Sequence, residues 1–170
     1  MSDQLVLFFA GVKVGKTVYQ GNEEPVITDY LGGFQYVNSE LQFFPHPEGY
    51  VSVVKFGPDN LVINYAYQYK DHLGNTRLSY FKNSSNVLEI IEEDNYYPFG
   101  LKHKGYNSTV TTNGNSLAQK YMYNGKELQE ELGLNMYDYG ARNYDPAIGR
   151  WMNIDPLAEQ MRRFSPYNYA

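Results

Sequence analysis

Along most of this chain aromatic and polar residues alternate, and the alternation stops every few residues at a glycine, asparagine or proline. A period of two puts successive side chains on opposite faces of a strand, so the pattern points to pleated hairpins rather than packed helices. Residues 137–156 show it best. They run Tyr-Asp-Tyr-Gly-Ala-Arg-Asn-Tyr-Asp-Pro, turn at Asp145-Pro146 with Gly149 behind, and restart at Arg150-Trp151. Tyrosine supplies 18 of the 170 residues, and its ring suits a half-buried pleated surface while its hydroxyl reaches a neighbour or solvent.

Applied along the chain, this reading predicts strands over 5–9, 16–19, 26–30, 33–37, 40–44, 50–56, 64–69, 76–81, 87–91 and 119–123. Turns fall at Gly32-Gly33, Asn38-Ser39, 45–49, 71–75 and Asn124-Gly125. Tyr97 precedes Pro98 and is held extended. Residues 102–116, rich in Lys, Gly, Ser, Thr and Asn, read as a loop. The composition of 126–132, closed by Gly133, predicts one or two helical turns; Asp155 before Pro156 predicts a capped helix start over 155–161. The hairpins are unequal in length, so no solenoid with a fixed repeat is indicated. The expected fold class is all-β, a series of consecutive antiparallel hairpins with one or two short helices near the C-terminus. At this length the chain is about one domain's worth.

Charge and composition exclude several functions. The formal net charge is −5 and no Lys/Arg cluster exceeds a pair, so nucleic acid is not an expected partner. The absence of cysteine excludes disulfides and thiolate metal sites. His46 sits between two prolines without a second ligand nearby, and His72 sits in a turn without an organised serine or cysteine nucleophile. Both are read as structural, and no metal or cofactor is expected. No apolar run is long enough to predict a membrane-spanning helix, and the short run at 5–10 follows Asp3, unlike the core of a signal peptide. Asn83 and Asn107 match the glycosylation pattern, which carries weight only in a secretory context.

Three polar constellations remain. Residues 10–17 satisfy a relaxed phosphate-loop pattern, which would place Lys16 on the phosphates and Thr17 on magnesium. That chemistry needs a helix starting at Lys16, whereas Val18-Tyr19 are strand formers and Gly21-Asn22 follow, so a hairpin is the favoured reading. Around 71–77, Asp71 is placed to cap its turn, Gly74 to supply a positive φ, and Arg77 to reach back to Asp71. Finally, Asp145 and Asp155 flank Arg150, a pattern that serves as an ion-pair clasp or as an acid–base pair.

The residues of this last stretch also carry a resemblance. Tyr123-Asn124-Gly125-Lys126-Glu127, residues 133–142, and Tyr144-Asp145-Pro146 through Gly149-Arg150-Trp151 to Asp155-Pro156 resemble the rearrangement-hotspot (Rhs) repeat-associated core, which closes arrays of YD repeats in bacterial polymorphic toxins and insecticidal toxin complexes. Residues 69–77 and 96–100 are similar to the YD-type segments that precede this core in Bacteroidetes-like members. The resemblance implies a YD-repeat-like sheet region at 28–117 and the core at 118–170, with residues 1–27 read from their own pattern as an N-terminal hairpin; the family's core continues past Ala170, so that a fragment or a truncated copy is expected. It also implies that the sheet is part of a hollow β-shell around a C-terminal toxin, its partners being that cargo, other shell segments or further copies through open sheet edges. Secretion or cell-surface display is implied as well. In some relatives the core is an aspartyl self-protease; carried over, Asp145 and Asp155 are the acid–base carboxylates and Arg150 holds one ionised. The cleavage segment of those relatives is absent after Ala170, so no self-cleavage is expected here. Arg142, Asp145, Arg150 and Asp155 are expected first as a turn-locking charge network.

Overall fold

The computed structural model describes residues 3–10, 12–55, 60–105 and 114–169. Nine strands follow one another as an antiparallel meander: β1 (Gln4–Phe9), β2 (Lys13–Tyr19), β3 (Val26–Leu31), β4 (Phe34–Val37), β5 (Glu40–His46), β6 (Gly49–Lys55), β7 (Leu61–Lys70), β8 (Thr76–Lys82) and β9 (Leu88–Glu93). Strand order in the sheet equals order in the chain. A second sheet orders β10 (Glu127–Gln129), β11 (Met136–Asp138), β12 (Asn143–Asp145) and β13 (Arg150–Trp151) in the same sequential way. The all-β hairpin architecture is therefore the one the alternation predicts.

Register places one face of the large sheet inward. Tyr30 pairs with Gln35, Gln35 with Phe43 and Phe43 with Ser52, while Tyr50 pairs with Ala66 and Ala66 with Phe81. Phe43, Tyr50, Ala66, Phe81 and Ile91 are buried there under Ala118, with Leu117 and Tyr121 packed against them. On the opposite face Ile63, Tyr65 and Tyr69 are exposed, while Val51 and Val53 of the neighbouring strand are buried. A second core joins Met122, Tyr123, Tyr137, Tyr144 and Trp151 in the small sheet, with Tyr96, Leu128, Tyr139 and Tyr169 around it. Its rings meet mostly edge-on or tilted, as with Tyr139 on Trp151 at 4.9 Å, the geometry their quadrupoles favour.

The turn at 94–102 joins the two sheets. Tyr144 donates its hydroxyl proton to the carbonyl of Phe99 at 2.9 Å and Tyr137 donates to that of Gly100 at 3.3 Å. Gly100 has φ +85°, and a Cβ there would lie 2.5 Å from the Tyr123 ring. The position needs glycine for both reasons.

Several predictions are corrected. Residues 126–132 are not helical: they hold β10 and a single 3-10 turn at Glu131–Gly133. Pairing with β11 overrides the helix-forming composition. Residues 155–161 form successive turns rather than a helix. Asp155 does cap, accepting from the Leu157 N–H at 2.8 Å, but the bonds that follow, Gln160 N–H to the Leu157 carbonyl and Met161 N–H to that of Ala158, close turns and not a helix. The strand predicted at 119–123 is replaced by 3-10 turns at Ala118–Lys120 and Tyr123–Gly125, with a lone bridge from Tyr121 to Glu127. Residues 106–113, the centre of the predicted loop with Asn107, lie outside the described residues, as do Gly11 of the phosphate-loop pattern and Phe56 of the sixth predicted strand.

Candidate functional site

The predicted site residues fall at the far corner of the small sheet. Arg142 donates to Asp155 Oδ2 at 2.8 Å and lies 4.1 Å over the Trp151 ring. Asp145 and Arg150 are paired positions on β12 and β13. Yet Arg150 is exposed and, among the described residues, forms no ion pair, while Asp145 accepts from the Ala147 N–H at 2.8 Å. The guanidinium that meets a predicted carboxylate is thus Arg142, not Arg150. No hydrogen bond or ion pair joins Asp145 to Asp155 among the described residues; each carboxylate holds its own turn. Beside the Arg142–Asp155 pair lies a cleft of about 240 Å³, walled by Met161, Phe164, Pro166 and Tyr169.

At the predicted 71–77 turn, Asp71 accepts from the backbone N–H groups of Leu73 and Asn75, both at 3.0 Å, and from the Asn75 side chain at 2.9 Å. Burial works to raise the Asp71 carboxyl, but these bonds and the charge of Arg77 outweigh it and hold it below its ordinary value. Arg77 itself does not bridge back. It donates to Asn95 and lies over the Tyr96 ring, because its strand carries it toward the 94–102 turn. Asn75 accepts from the Asn124 N–H at 2.8 Å, so this turn is tied to the small sheet.

The densest polar cluster was not foreseen as a site. On β2, Lys13 and Lys16 reach across to the small sheet. Lys16, only 2% exposed, donates to Glu127 at 3.0 Å, Gln129 at 3.3 Å and Glu131 at 2.9 Å. Lys13 donates to Glu127 at 2.6 Å and Asp138 at 2.7 Å, and Lys120 donates to Glu131 at 2.9 Å. The Tyr30 and Tyr121 hydroxyls also donate to Glu127. Lys13, Lys16 and Lys120 face Glu127, Glu131 and Asp138, so the buried charges balance. Burial would lower the Lys16 ammonium, but Glu127 and Glu131 more than offset it and hold it above the usual lysine value. Burial would raise the Glu131 carboxyl, yet Lys120 and Lys16 bring it down to about 2. This clasp removes the phosphate-loop alternative: Lys16 sits in a strand with no helix after it, its ammonium occupied by carboxylates.

A signal for the clasp was present in the sequence. Glu127 and Gln129 stand two apart, which on β10 puts both on one face, and Glu131 follows at the same spacing at the start of the 3-10 turn.

No family model matches the chain. It is 35% identical over 100 residues to salivary gland surface protein 1 of Aedes aegypti, a match covering 59% of this chain and 2% of that protein. It is 29% identical over 154 residues to toxin subunit YenC1 of Yersinia entomophaga, covering 89% of this chain and 14% of that one. Among solved structures it is similar to TcdB2-TccC3, at 22% identity and a TM-score of 0.56 over 86% of this chain and 7% of that one. It is also similar to a chain of the Photorhabdus luminescens Tc holotoxin pore, at 20% identity and a TM-score of 0.63 over 98% of this chain and 8% of that one. The chain therefore shares its fold with a segment of Tc toxin polypeptides, and spans a small fraction of each relative's length. No helix among the described residues is long and apolar enough to cross a membrane.

Proposed function

We propose that this chain is a structural segment of an Rhs/YD-repeat toxin shell, forming part of the wall around a C-terminal toxin. The observation that carries this reading is the nine-strand sequential meander, in a chain whose fold matches a Tc holotoxin chain over 98% of this chain's length. In this reading residues 28–117 are the repeat sheet, 118–170 are the repeat-associated core, and the 1–27 hairpin extends the sheet through β1 and β2. The Bacteroidetes-like assignment rests on the motifs at 69–77 and 96–100 alone. The partners are the toxin cargo and neighbouring shell segments pairing with edge strands such as β1, whose backbone groups offer a template. Export from a bacterium, to the medium or the cell surface, follows from the same reading.

The test is a transplant of this chain into the matching 154-residue stretch of YenC1. Parent and hybrid are expected to shield a trailing polypeptide from added protease equally well. A hybrid that folds but leaves that polypeptide as exposed as free chain overturns the reading.

A second reading, an aspartyl self-protease using Asp145, Asp155 and Arg150, has one observation in its favour: Asp155 lines a cleft able to hold an apolar side chain. Against it, both Asp155 oxygens are already hydrogen-bonded. Intact mass after prolonged incubation separates the two readings. An unchanged mass supports the scaffold, and a smaller species missing from an Asp155→Asn variant supports the protease.

A further inference from the structure

A second buried charge cluster lies at the base of the 94–102 turn. Glu92 and Asp94 are 3% and 1% exposed, and the single ammonium of Lys102 bridges them, touching Asp94 Oδ1 and standing 3.4 Å from Glu92 Oε1. Lys102 is fixed in place because its backbone bridges to Tyr96. The Tyr96 hydroxyl donates to the Thr76 carbonyl at 2.9 Å and stands 3.3 Å from Asp94 Oδ2. From β8, Ser79 stands directly across the ladder from Glu92, next to a bulge between Ser79 and Tyr80. The Ser79 hydroxyl and Glu92 Oε2 are both buried and have no hydrogen-bond partner among the described residues. Arg77 is turned to Asn95 and the Tyr96 ring, and the Tyr137 hydroxyl comes from β11 within range of the Asp94 charge. Two buried carboxylates thus share one cation, and Glu92 Oε2 has no donor among the described residues.

We propose that Glu92 is held as a neutral acid at neutral pH, and that this proton latches the two sheets together through the 94–102 turn. With the proton in place, one carboxylate charge balances Lys102 and no uncompensated charge is buried. Loss of the proton puts a second negative charge beside Asp94, with both carboxylates buried and only Lys102 to balance them, which is costly. The turn strained by that charge is the one whose Phe99 and Gly100 carbonyls receive the Tyr144 and Tyr137 hydroxyls. Burial, then the Asp94 charge, push the Glu92 carboxyl up to about 8, against the pull of Lys102. A carboxyl raised in the folded state stabilises fully below its unfolded value of about 4.5. That contribution is lost as pH rises toward 8. Over this window the folded chain holds a proton that the unfolded chain has released, so the unfolding constant rises by up to tenfold per pH unit. The device is an alkaline release of the seam between the sheets.

The experiment compares wild type with Glu92→Gln, a neutral mimic of the protonated acid, by urea unfolding from pH 5.5 to 8.5. Wild type is expected to lose stability across this range relative to the variant, and the variant to be flatter. Parallel profiles overturn the proposal. Should Glu92→Gln fail to fold, infrared spectra of wild type labelled with ¹³C-glutamate decide: a protonated glutamic acid band at pH 7 that fades by pH 9 supports the proposal, and its absence at pH 7 overturns it.

Discussion

Replacing Lys16 by methionine keeps most of the buried stem and removes the ammonium. That leaves Glu127, Glu131 and Asp138 facing only Lys13 and Lys120, in a site where Lys16 is 2% exposed. The lost contacts, 3.0 Å to Glu127, 2.9 Å to Glu131 and 3.3 Å to Gln129, act as one network and do not add. Breaking a buried pair from one side costs about 3–5 kcal/mol, because the abandoned charge stays buried. A folded domain has about 5–15 kcal/mol in all. The Lys16→Met chain should therefore unfold at clearly lower urea, followed by fluorescence of Trp151, which is packed in the small sheet, and by circular dichroism for the large one. The pH profile adds a signature. Glu131 is held at about 2 by Lys120 and Lys16, so it stabilises fully above its unfolded value and loses that contribution as pH falls toward 2. Without Lys16 this acid-side slope should shrink. A double-mutant cycle with Glu127→Gln should show coupling of about 1 kcal/mol or more. A Lys16→Met chain within about 0.5 kcal/mol of wild type, or a cycle without coupling, would refute the reasoning.

Arg142→Ala loses a half-exposed ion pair and the stacking on Trp151 and should cost about 1–2 kcal/mol, whereas Arg150→Ala should stay within about 0.5 kcal/mol; equal melting temperatures for the two would count against that ranking. Gly100→Ala meets both the left-handed backbone and the Tyr123 ring and should cost about 2–5 kcal/mol, read by chemical denaturation. Asn75→Ala leaves the partly buried Asn124 N–H without its acceptor and should cost about 1 kcal/mol, with faster amide exchange at Asn124 as the local check.

The nine strands of the large sheet were legible because each is a short alternating or apolar run closed by residues suited to a turn, as at Asn38-Ser39, where both residues take positive φ. The small sheet was half legible. Its β11 and β12 show the same alternation, but β10 lies in a run of Lys, Glu, Gln and Leu whose composition suits a helix. Only the pairing of Leu128 with Tyr137, and the lysines waiting on β2, decide for the strand. The clasp was hidden for a related reason. Lys13 and Lys16 are separated from Glu127 and Asp138 by more than a hundred positions, and no local rule connects them. At the 71–77 turn the cap by Asp71 is a local bond and was foreseen, while the destination of Arg77 depends on a turn that packs against it from 18 residues away.

Because each strand of the large sheet pairs with the one made just before it, the sheet can be laid down as the polypeptide leaves the ribosome. Each addition closes only a short loop, which keeps the entropic cost small. Lys13 and Lys16 are the exception: their carboxylate partners are translated more than a hundred residues later. Until then the first hairpin carries two ammonium groups that water must solvate. Their burial marks the moment when the small sheet has formed and seated correctly.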